Sequence, residues 1–353
     1  MKSVLTLSFP RAAPGRVPLF DELRGLAILL VLTYHVGGVT GFPNKVHGDL
    51  GVDIFLFVSG AALAFSNRAD EGAPAFLCRR LLRLLPAYWI VLTAFWIGSE
   101  RVLGYAPPTN ADVISHYLCV HELWGDLYFL HFSDSFWFLS LAVPLYLVFT
   151  AMRPWIGRLD IVLGVGLALS FLTACVTFQL NQPALFVHLG LRPTIFFLGI
   201  PFGVMVRNGD ARVPLSAWLA VGTILSIYGL FVTGLFIGYT AAGFSLVLGY
   251  VAARSGAPTA GSRILCRLVA WIGLYSYEIY LVHQPLIRDY NDHFLRLLRH
   301  GKAPDAVQTA AGVVVALGLT LGLSIILEKA TGWLRTRLLG RLLPGPGRTA
   351  AAP

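Results

Sequence analysis

Long apolar runs alternate with short polar segments along almost the whole chain. Each run approaches the roughly 20 residues that an α-helix needs to cross the hydrocarbon core of a bilayer. The pattern therefore predicts about ten transmembrane helices and argues against a single soluble core. The predicted spans are 19–39, 51–66, 82–98, 135–152, 159–180, 190–206, 213–233, 236–253, 266–287 and 307–327.

The composition agrees with this pattern. Hydrophobic residues make up 56% of the 353 and charged residues only 13%, which is about half the charged share of a typical soluble domain. We therefore predict an all-α polytopic membrane protein. Its expected parts are an N-terminal segment at 1–18, a ten-helix membrane domain at 19–327 and a basic tail at 328–353.

The net charge of +9 indicates an orientation rather than a nucleic-acid partner, since no nucleic-acid motif is present. Lys and Arg concentrate in the segments on the same side as the N-terminus, which predicts that both termini are cytoplasmic and face membrane lipid headgroups. The basic loop 288–306 is the exception. Four scattered cysteines show no metal-ligand spacing, so we predict neither a metal site nor a disulfide framework.

The first apolar run carries Arg24 and, deeper along it, His35 among its ionisable residues. They are eleven residues apart, close to three helical turns, so they share one helix face and lie about 16 Å apart along its axis. Ionisable groups at such depth usually face a cavity or a partner, which makes both functional candidates. The alternatives are snorkelling of Arg24 to the headgroups and a buried helix-to-helix hydrogen bond for His35.

The second run opens with Gly51-Val52-Asp53-Ile54-Phe55 and continues to Ser59-Gly60. Asp53 is expected at a depth comparable with His35, where a carboxylate orients an imidazole and stabilises its protonated form. An equally good interpretation is a first-turn acid on a helix. The two glycines permit close helix packing.

Three arginines, Arg79, Arg80 and Arg83, lie around the start of the third predicted span. Arg80 and Arg83 are three residues apart and share a helix face. Guanidinium groups match phosphate oxygens well, so the cluster is a candidate site for a phosphate-rich cytoplasmic ligand. The alternative is an ordinary cytoplasmic membrane anchor.

Two later segments add polar and aromatic residues. One begins at Trp137, and the other holds Ser276, Tyr280 and His283 at spacings that place them on one helix face. The alternative is a polar packing seam with an aromatic belt at the interface. The loop 99–134 combines carboxylates, histidines and aromatic residues, which suits either a sugar-binding surface or a solvated interfacial loop.

Taken together and in this order, these segments resemble the acyltransferase-3 family of bacterial membrane acyltransferases. The resemblance extends from about Phe20 to the tenth predicted span. The matching segments are Arg24 to His35, Gly51 to Phe55 with Ser59-Gly60, Arg79 to Trp89, Trp137 to Leu139, and Ser276 to Pro285.

The resemblance implies a ten-helix enzyme of the bacterial inner (cytoplasmic) membrane. Members transfer an acyl group, commonly acetyl, from a cytoplasmic donor to a hydroxyl of a cell-surface or lipid-linked glycan, and others modify macrolide-type small molecules. The family's essential arginine and histidine correspond to Arg24 and His35, and its cytoplasmic arginines to Arg80 and Arg83, with Arg79 beside them. The implied donor is acyl-CoA (acetyl-CoA) as a substrate, with no permanently bound cofactor.

These assignments give a hypothesis for the mechanism. His35 acts as general base on the acceptor hydroxyl or carries the acyl group briefly, since a histidine's ordinary pKa near neutrality suits either role. Asp53 orients it. Candidates for the oxyanion donor or the cavity lining are Tyr34, Ser59, Trp137, Ser276, Tyr280 and His283.

The sequence departs from the family at two points. Many members carry a glutamate where this chain has Ala142, and some carry a fused esterase-like domain that we do not expect here. Two rival classes are a transporter or flippase, for which we expect paired repeats or broken helices, and a structural membrane protein without chemistry.

Overall fold

The computed structural model describes residues 17–41, 48–68, 70–123, 134–179, 192–208, 247, 249–250, 260–299 and 305–342. Throughout these ranges, helix is the sole regular secondary structure, as the all-α prediction requires. The helices are α1 (Pro18–Thr40), α2 (Asp49–Phe65), α3 (Ala73–Arg101), α4 (Asn110–Tyr117), α5 (Trp137–Met152), α6 (Leu159–Gln179), α7 (Arg192–Asn208), α8 (Ala260–Leu274), α9 (Ser276–Gln284), α10 (Asn291–Leu298) and α11 (Ala306–Leu342). A wider π-type turn, Pro285–Tyr290, joins α9 to α10.

Several of these helices are long and apolar enough to cross a bilayer, so the chain is a multi-pass membrane protein. Within the described ranges five helical segments meet both criteria: Pro18–Thr40, Ala73–Arg101, Trp137–Trp155, Leu159–Val176 and Ala306–Leu342. A sixth is formed if Arg263–Leu274 and Ser276–Leu298, bent by 66°, count as one broken span. The predicted span 213–233 and most of 236–253 lie outside the described residues, so the total of ten and the cytoplasmic termini stay predictions.

Two helix ends differ from the sequence-based spans. Helix α3 starts at Ala73 rather than near 82, with a proline in its first turn, where the missing N–H costs nothing. Helix α11 continues to Leu342. The residues after Glu328 are mostly good helix formers, although several of them are basic. The predicted boundary between membrane domain and tail, at 327/328, therefore lies inside a continuous helix.

The chain divides into two compact units, each assembled from two separate stretches of sequence. The first unit comprises Met1–Asn67 and Ala151–Ser276, and the second comprises Arg68–Thr150 and Tyr277–Pro353. In the first unit α1 packs on α2 and α8, while α7 packs on α2 and α6. In the second unit α11 packs on α3, on the π-type turn and on α10.

Glycines bring α2 and α7 into backbone contact in the first unit. A Cβ atom added at Gly60 would lie 2.0 Å from the carbonyl oxygen of Phe196, and one added at Gly199 would lie 2.0 Å from that of Phe57. Any larger side chain at these positions forces the two helices apart. Gly60 thus has the packing role that the sequence predicts for it, because small residues allow the two helices to pack closely.

Candidate functional site

Helix α1 carries Arg24 and His35 as the sequence predicts, with no break between them. Nη1 of Arg24 donates to Oδ1 of Asp21 at 3.3 Å, and the Arg24 side chain keeps about a third of its surface exposed (33%). His35 is half-buried, and its ring meets Tyr34 edge to face with 5.1 Å between the ring centroids. Both ionisable groups are therefore only partly covered by their own unit.

The register of α1 and α2 follows from two close approaches. Gly48 lies against the ring of Tyr34, since an added Cβ would be 3.1 Å from it, and Gly51 lies against Ala27, whose carbonyl oxygen would be 2.3 Å away. The two helices therefore run antiparallel. Asp53 follows Gly51 and lies near the level of Ala27, toward the Arg24 end of α1. The depth comparable with His35 that the sequence predicted for Asp53 is therefore wrong, because Ala27 and His35 are about 12 Å apart along α1.

Asp53 has a partner that the sequence analysis did not identify. Nε of Arg192 donates to Oδ1 of Asp53 at 3.0 Å, and the side chains are 5% and 0% exposed. Arg192 is the first residue of α7. The sequence signal for this pair is weak, because Arg192 stands near the edge of an apolar run, where arginines commonly flank membrane helices.

The start of α7 is also fixed by hydroxyl groups. The Ser170 and Thr194 hydroxyls lie 2.7 Å apart, and the backbone N–H of Thr194 donates to the Ser170 hydroxyl at 3.0 Å. These bonds tie α6 to the residues that follow Arg192. The Asp53–Arg192 pair therefore joins α2 to a helix, α7, whose start is also held in place by hydrogen bonds to α6.

A second unpredicted contact involves Glu22, which is almost fully buried. The hydroxyl of Tyr250 donates to its Oε2 at 2.9 Å. Buried acids next to the Arg24 helix turn therefore have polar partners within the first unit, as a low-dielectric interior demands.

The predicted arginine cluster lies in the second unit, and each arginine has a partner there. Nη1 of Arg83 donates to Oε1 of Glu278 at 2.9 Å, and Arg79 forms an ion pair with Glu71. The guanidinium of Arg80 lies over the ring of Phe76, 5.1 Å from its centroid. Partners within the protein limit how far these side chains swing and therefore favour a defined anion-binding geometry.

The carboxylate that meets Arg83 is completely covered. The Glu278 side chain is 0% exposed, whereas Arg83 keeps 35% of its surface exposed. The adjacent Tyr277 hydroxyl donates to the carbonyl of Leu84 at 2.8 Å, which fastens α9 to α3 beside the ion pair. Glu278 lies within the segment Ser276 to Pro285, but the sequence alone predicts no role for it.

Residues of α9 meet the start of α5 in the second unit. The Tyr280 hydroxyl donates to the backbone carbonyl of Ser135, and its ring packs edge to face on Phe138 with a 5.4 Å centroid separation. Nδ1 of His283 lies 2.7 Å from the carbonyl of Tyr280. Trp137, Tyr280 and His283 are buried here, so the structure brings these two predicted segments together.

The predicted site residues are distributed over both units. Those of the first unit are Arg24, Tyr34, His35, Asp53, half-buried Ser59 and buried Ser276. Those of the second unit are Arg79, Arg80, Arg83, Trp137, Tyr280 and His283.

The loop 99–134, described as far as Leu123, contains a buried pair of histidines. The rings of His116 and His121 stack with a 4.0 Å centroid distance, and the Ser140 hydroxyl lies 3.0 Å from Nδ1 of His121. Burial lowers the pKa of His116 to about 4. Burial, and then the charge of His116, lower the pKa of His121 well below its ordinary value. Both rings are therefore neutral at neutral pH, and this part of the loop is a packed element.

The comparisons with known proteins identify the class to which these helices and site residues belong. A family model described as an acyltransferase domain matches residues 18–329. The chain therefore belongs to the acyltransferase-3 family, as its sequence motifs predicted. No solved structure matches the chain.

The chain is similar to several curated members of this kind. It is 25% identical to the peptidoglycan O-acetyltransferase OatA of Listeria monocytogenes over 77% of this chain and 49% of OatA. It is 26% identical to YrhL of Bacillus subtilis, also named for peptidoglycan O-acetylation, over 77% of this chain and 48% of that protein. The acyltransferase MdmB of Streptomyces mycarofaciens is 26% identical over 93% of this chain and 94% of its own length. The chain thus spans about half the length of the peptidoglycan relatives and nearly all of MdmB.

Proposed function

We propose that this protein is an O-acyltransferase of the bacterial inner membrane. It transfers an acyl group, most simply acetyl, from a cytoplasmic acyl-CoA to a hydroxyl of a cell-surface or lipid-linked glycan. The observation that carries the proposal is the family match over residues 18–329, together with ionisable side chains on the apolar helix α1. Such groups mark a functional site by default.

The arginine cluster supports the donor assignment. Arg80 and Arg83 present guanidinium groups from one face of α3, and Arg83 is held by Glu278 while a third of its surface stays exposed (35%). Guanidinium forks bind phosphate oxygens in a fixed geometry. A CoA thioester offers three phosphate groups, so it is the acyl donor that this cluster fits.

His35 supplies the proton transfer in the proposed reaction. Its imidazole takes the proton of the acceptor hydroxyl as that oxygen attacks the thioester carbonyl. The new C–O bond forms, the C–S bond breaks, and the imidazolium returns the proton to the leaving thiolate. In the alternative route the imidazole attacks the thioester carbonyl first, the C–S bond breaks and CoA leaves as the thiol with the imidazole N–H proton; the acceptor hydroxyl then displaces the imidazole and returns a proton to it. Tyr34, whose ring meets that of His35, is a candidate donor to the oxyanion.

Glycan is the preferred acceptor because two relatives are named for peptidoglycan O-acetylation. A macrolide-type small molecule is the second candidate, which the family resemblance allows. The chain also aligns with nearly the whole length of the acyltransferase MdmB, so the same assay should include an acceptor other than glycan.

The test uses the purified full chain in proteoliposomes with radiolabelled acetyl-CoA. We expect release of free CoA that depends on an added glycan acceptor, with label appearing in the glycan. Label in an added macrolide instead would select the second candidate. Substrate movement across the bilayer without CoA release would replace both with a transporter or flippase.

A further inference from the structure

Four charged side chains of the second unit come together across α3, α9 and α11. Arg83 on α3 donates to Glu278 on α9 at 2.9 Å. The charges of Arg83, Glu278 and Glu328 all act on Arg335 of α11, and the charge of Glu328 also acts on Glu278. Helix α11 packs directly on α3. The last helix therefore adds both a cation and an anion to the arginine cluster.

Arg335 lies on the part of α11 that the sequence assigned to a tail. It follows Glu328 by seven residues, two helical turns, so the two side chains share a face. The geometry agrees, since a Cβ added at Gly332 would lie 3.6 Å from Oε1 of Glu328 and 3.9 Å from Nη2 of Arg335. Because the helix is continuous, Arg335 belongs to the same helix that packs on α3, the helix of Arg83.

Glu278 lies behind these two arginines. Its side chain is 0% exposed, and within the described residues its Oε2 has no hydrogen-bond partner. A buried carboxylate with a spare acceptor atom is costly unless cations neutralise it. Arg83, 2.9 Å from the carboxylate, is the cation that pairs with it, and the charge of Arg335 interacts favourably with Glu278. Arg83 and Arg335 repel each other electrostatically, and binding of an external anion relieves that repulsion.

We propose that Arg335 joins Arg83 in binding the phosphate groups of the acyl donor, and that Glu278 is the positioning residue that holds the Arg83 guanidinium toward them. The inference rests on the proposed function for the identity of the donor. The ligand class is the phosphorylated nucleotide part of a CoA thioester. Arg80 and Arg83 were expected from the motif, whereas Arg335 and Glu278 come from the fold.

Equilibrium binding of radiolabelled CoA to the purified full chain in detergent tests this inference without requiring turnover. Arg335→Ala removes a charge-assisted contact and should weaken CoA binding about tenfold. Adenosine 3′,5′-bisphosphate, which carries phosphates but no thioester arm, should displace CoA from the wild type and about tenfold less well from Arg335→Ala.

Glu278→Gln keeps the shape of the side chain and removes the charge that orients Arg83. It should weaken CoA binding several-fold, in the same direction as Arg335→Ala, with kcat for acetyl transfer unchanged. Glu278→Asp retains the charge and should restore part of the affinity. A purely structural role would instead lower the melting temperature and kcat together.

Arg341→Ala is the matched control, because Arg341 is exposed on the same helix. The inference is overturned if Arg335→Ala binds CoA as tightly as Arg341→Ala, or if its weaker CoA binding is not matched by the bisphosphate. Wild type that binds CoA but transfers no acyl group would contradict the proposed function and leave this site intact. Wild type that binds no CoA would contradict both.

Discussion

In each unit one arginine–carboxylate pair of the described residues has a completely covered carboxylate, and the two pairs differ in the exposure of the arginine. In the first unit the Arg192 and Asp53 side chains are 5% and 0% exposed, with 3.0 Å between Nε and Oδ1. In the second unit Glu278 is 0% exposed but Arg83 is 35% exposed, with 2.9 Å between Nη1 and Oε1. The distances are alike, so the difference lies in what remains accessible. A fully covered pair fixes helices, whereas a half-covered pair presents a cation to a ligand.

The largest expected effect comes from breaking the covered pair. Asp53→Ala or Arg192→Ala leaves one charge buried without its partner, which should cost about 3–5 kcal/mol of unfolding free energy. Thermal unfolding of detergent-solubilised protein measures this loss. The double variant Asp53→Ala/Arg192→Ala should be less destabilised than the sum of the two single variants. Additive losses would show that the two charges do not interact.

The next largest effect on the unfolding free energy is expected from the stacked histidines. Unlike the two ion pairs, these titratable groups are buried as neutral rings. The folded pKa of His116 is about 4, below the ordinary value of about 6.5. Above pH 6.5 neither state binds the proton, and between pH 6.5 and 4 only the unfolded state does. The unfolding free energy should therefore decrease by up to about 3 kcal/mol as the pH is lowered from 6.5 to 4, and His121 should add to this decrease.

Melting temperatures between pH 7 and 4.5 measure this dependence. His116→Gln keeps a polar side chain but cannot titrate, so its melting temperature should change less over the same range. An identical pH profile in wild type and His116→Gln would contradict the burial of a neutral ring at this position.

The covered pair joins α2 to α7, so the backbone contact between these helices should support it. Gly199→Ala places a Cβ atom 2.0 Å from the carbonyl oxygen of Phe57 and should cost about 1–3 kcal/mol. The control is Gly38→Ala, because an added Cβ there meets nothing within 4 Å. Equal melting temperatures for the two variants would show that the close α2–α7 contact does not support the Asp53–Arg192 pair.

The smallest stability effect is expected at the half-covered pair. Arg83→Gln should lower the unfolding free energy by only about 1 kcal/mol, since the glutamine amide can still donate to Glu278 and the arginine side of this pair is already partly hydrated. The same variant should weaken CoA binding strongly. A loss of stability as large as that of Arg192→Ala would contradict the claim that only the covered pair has a mainly structural role.

The sequence predicted the parts of this fold that depend on local periodicity. The phase of Arg24 and His35 follows from 3.6 residues per turn, and helix α1 is continuous through both. The apolar spans follow from the length that a bilayer requires. The Gly60 contact follows from the preference of membrane helices for small residues at interfaces.

What the sequence did not predict depends on long-range pairing. Arg192 meets Asp53 across 139 residues, and Glu278 meets Arg83 across 195, and nothing local marks either arginine–carboxylate match. Hydropathy does not predict the extension of α11, because its last turns carry four basic residues and hydropathy reports membrane depth rather than helix continuity. Arg335 was therefore assigned to a tail.

The central claim is that His35 performs acyl transfer from acyl-CoA. The most direct measurement is transfer of radiolabelled acetyl from acetyl-CoA to glycan by wild type, His35→Ala and Thr33→Ala in proteoliposomes. Thr33 is an exposed residue of the same helix whose hydroxyl bonds its own backbone, so it controls for insertion. We predict that Thr33→Ala retains transfer and that His35→Ala loses at least about a hundredfold. Wild-type transfer by a correctly inserted His35→Ala protein would contradict the account.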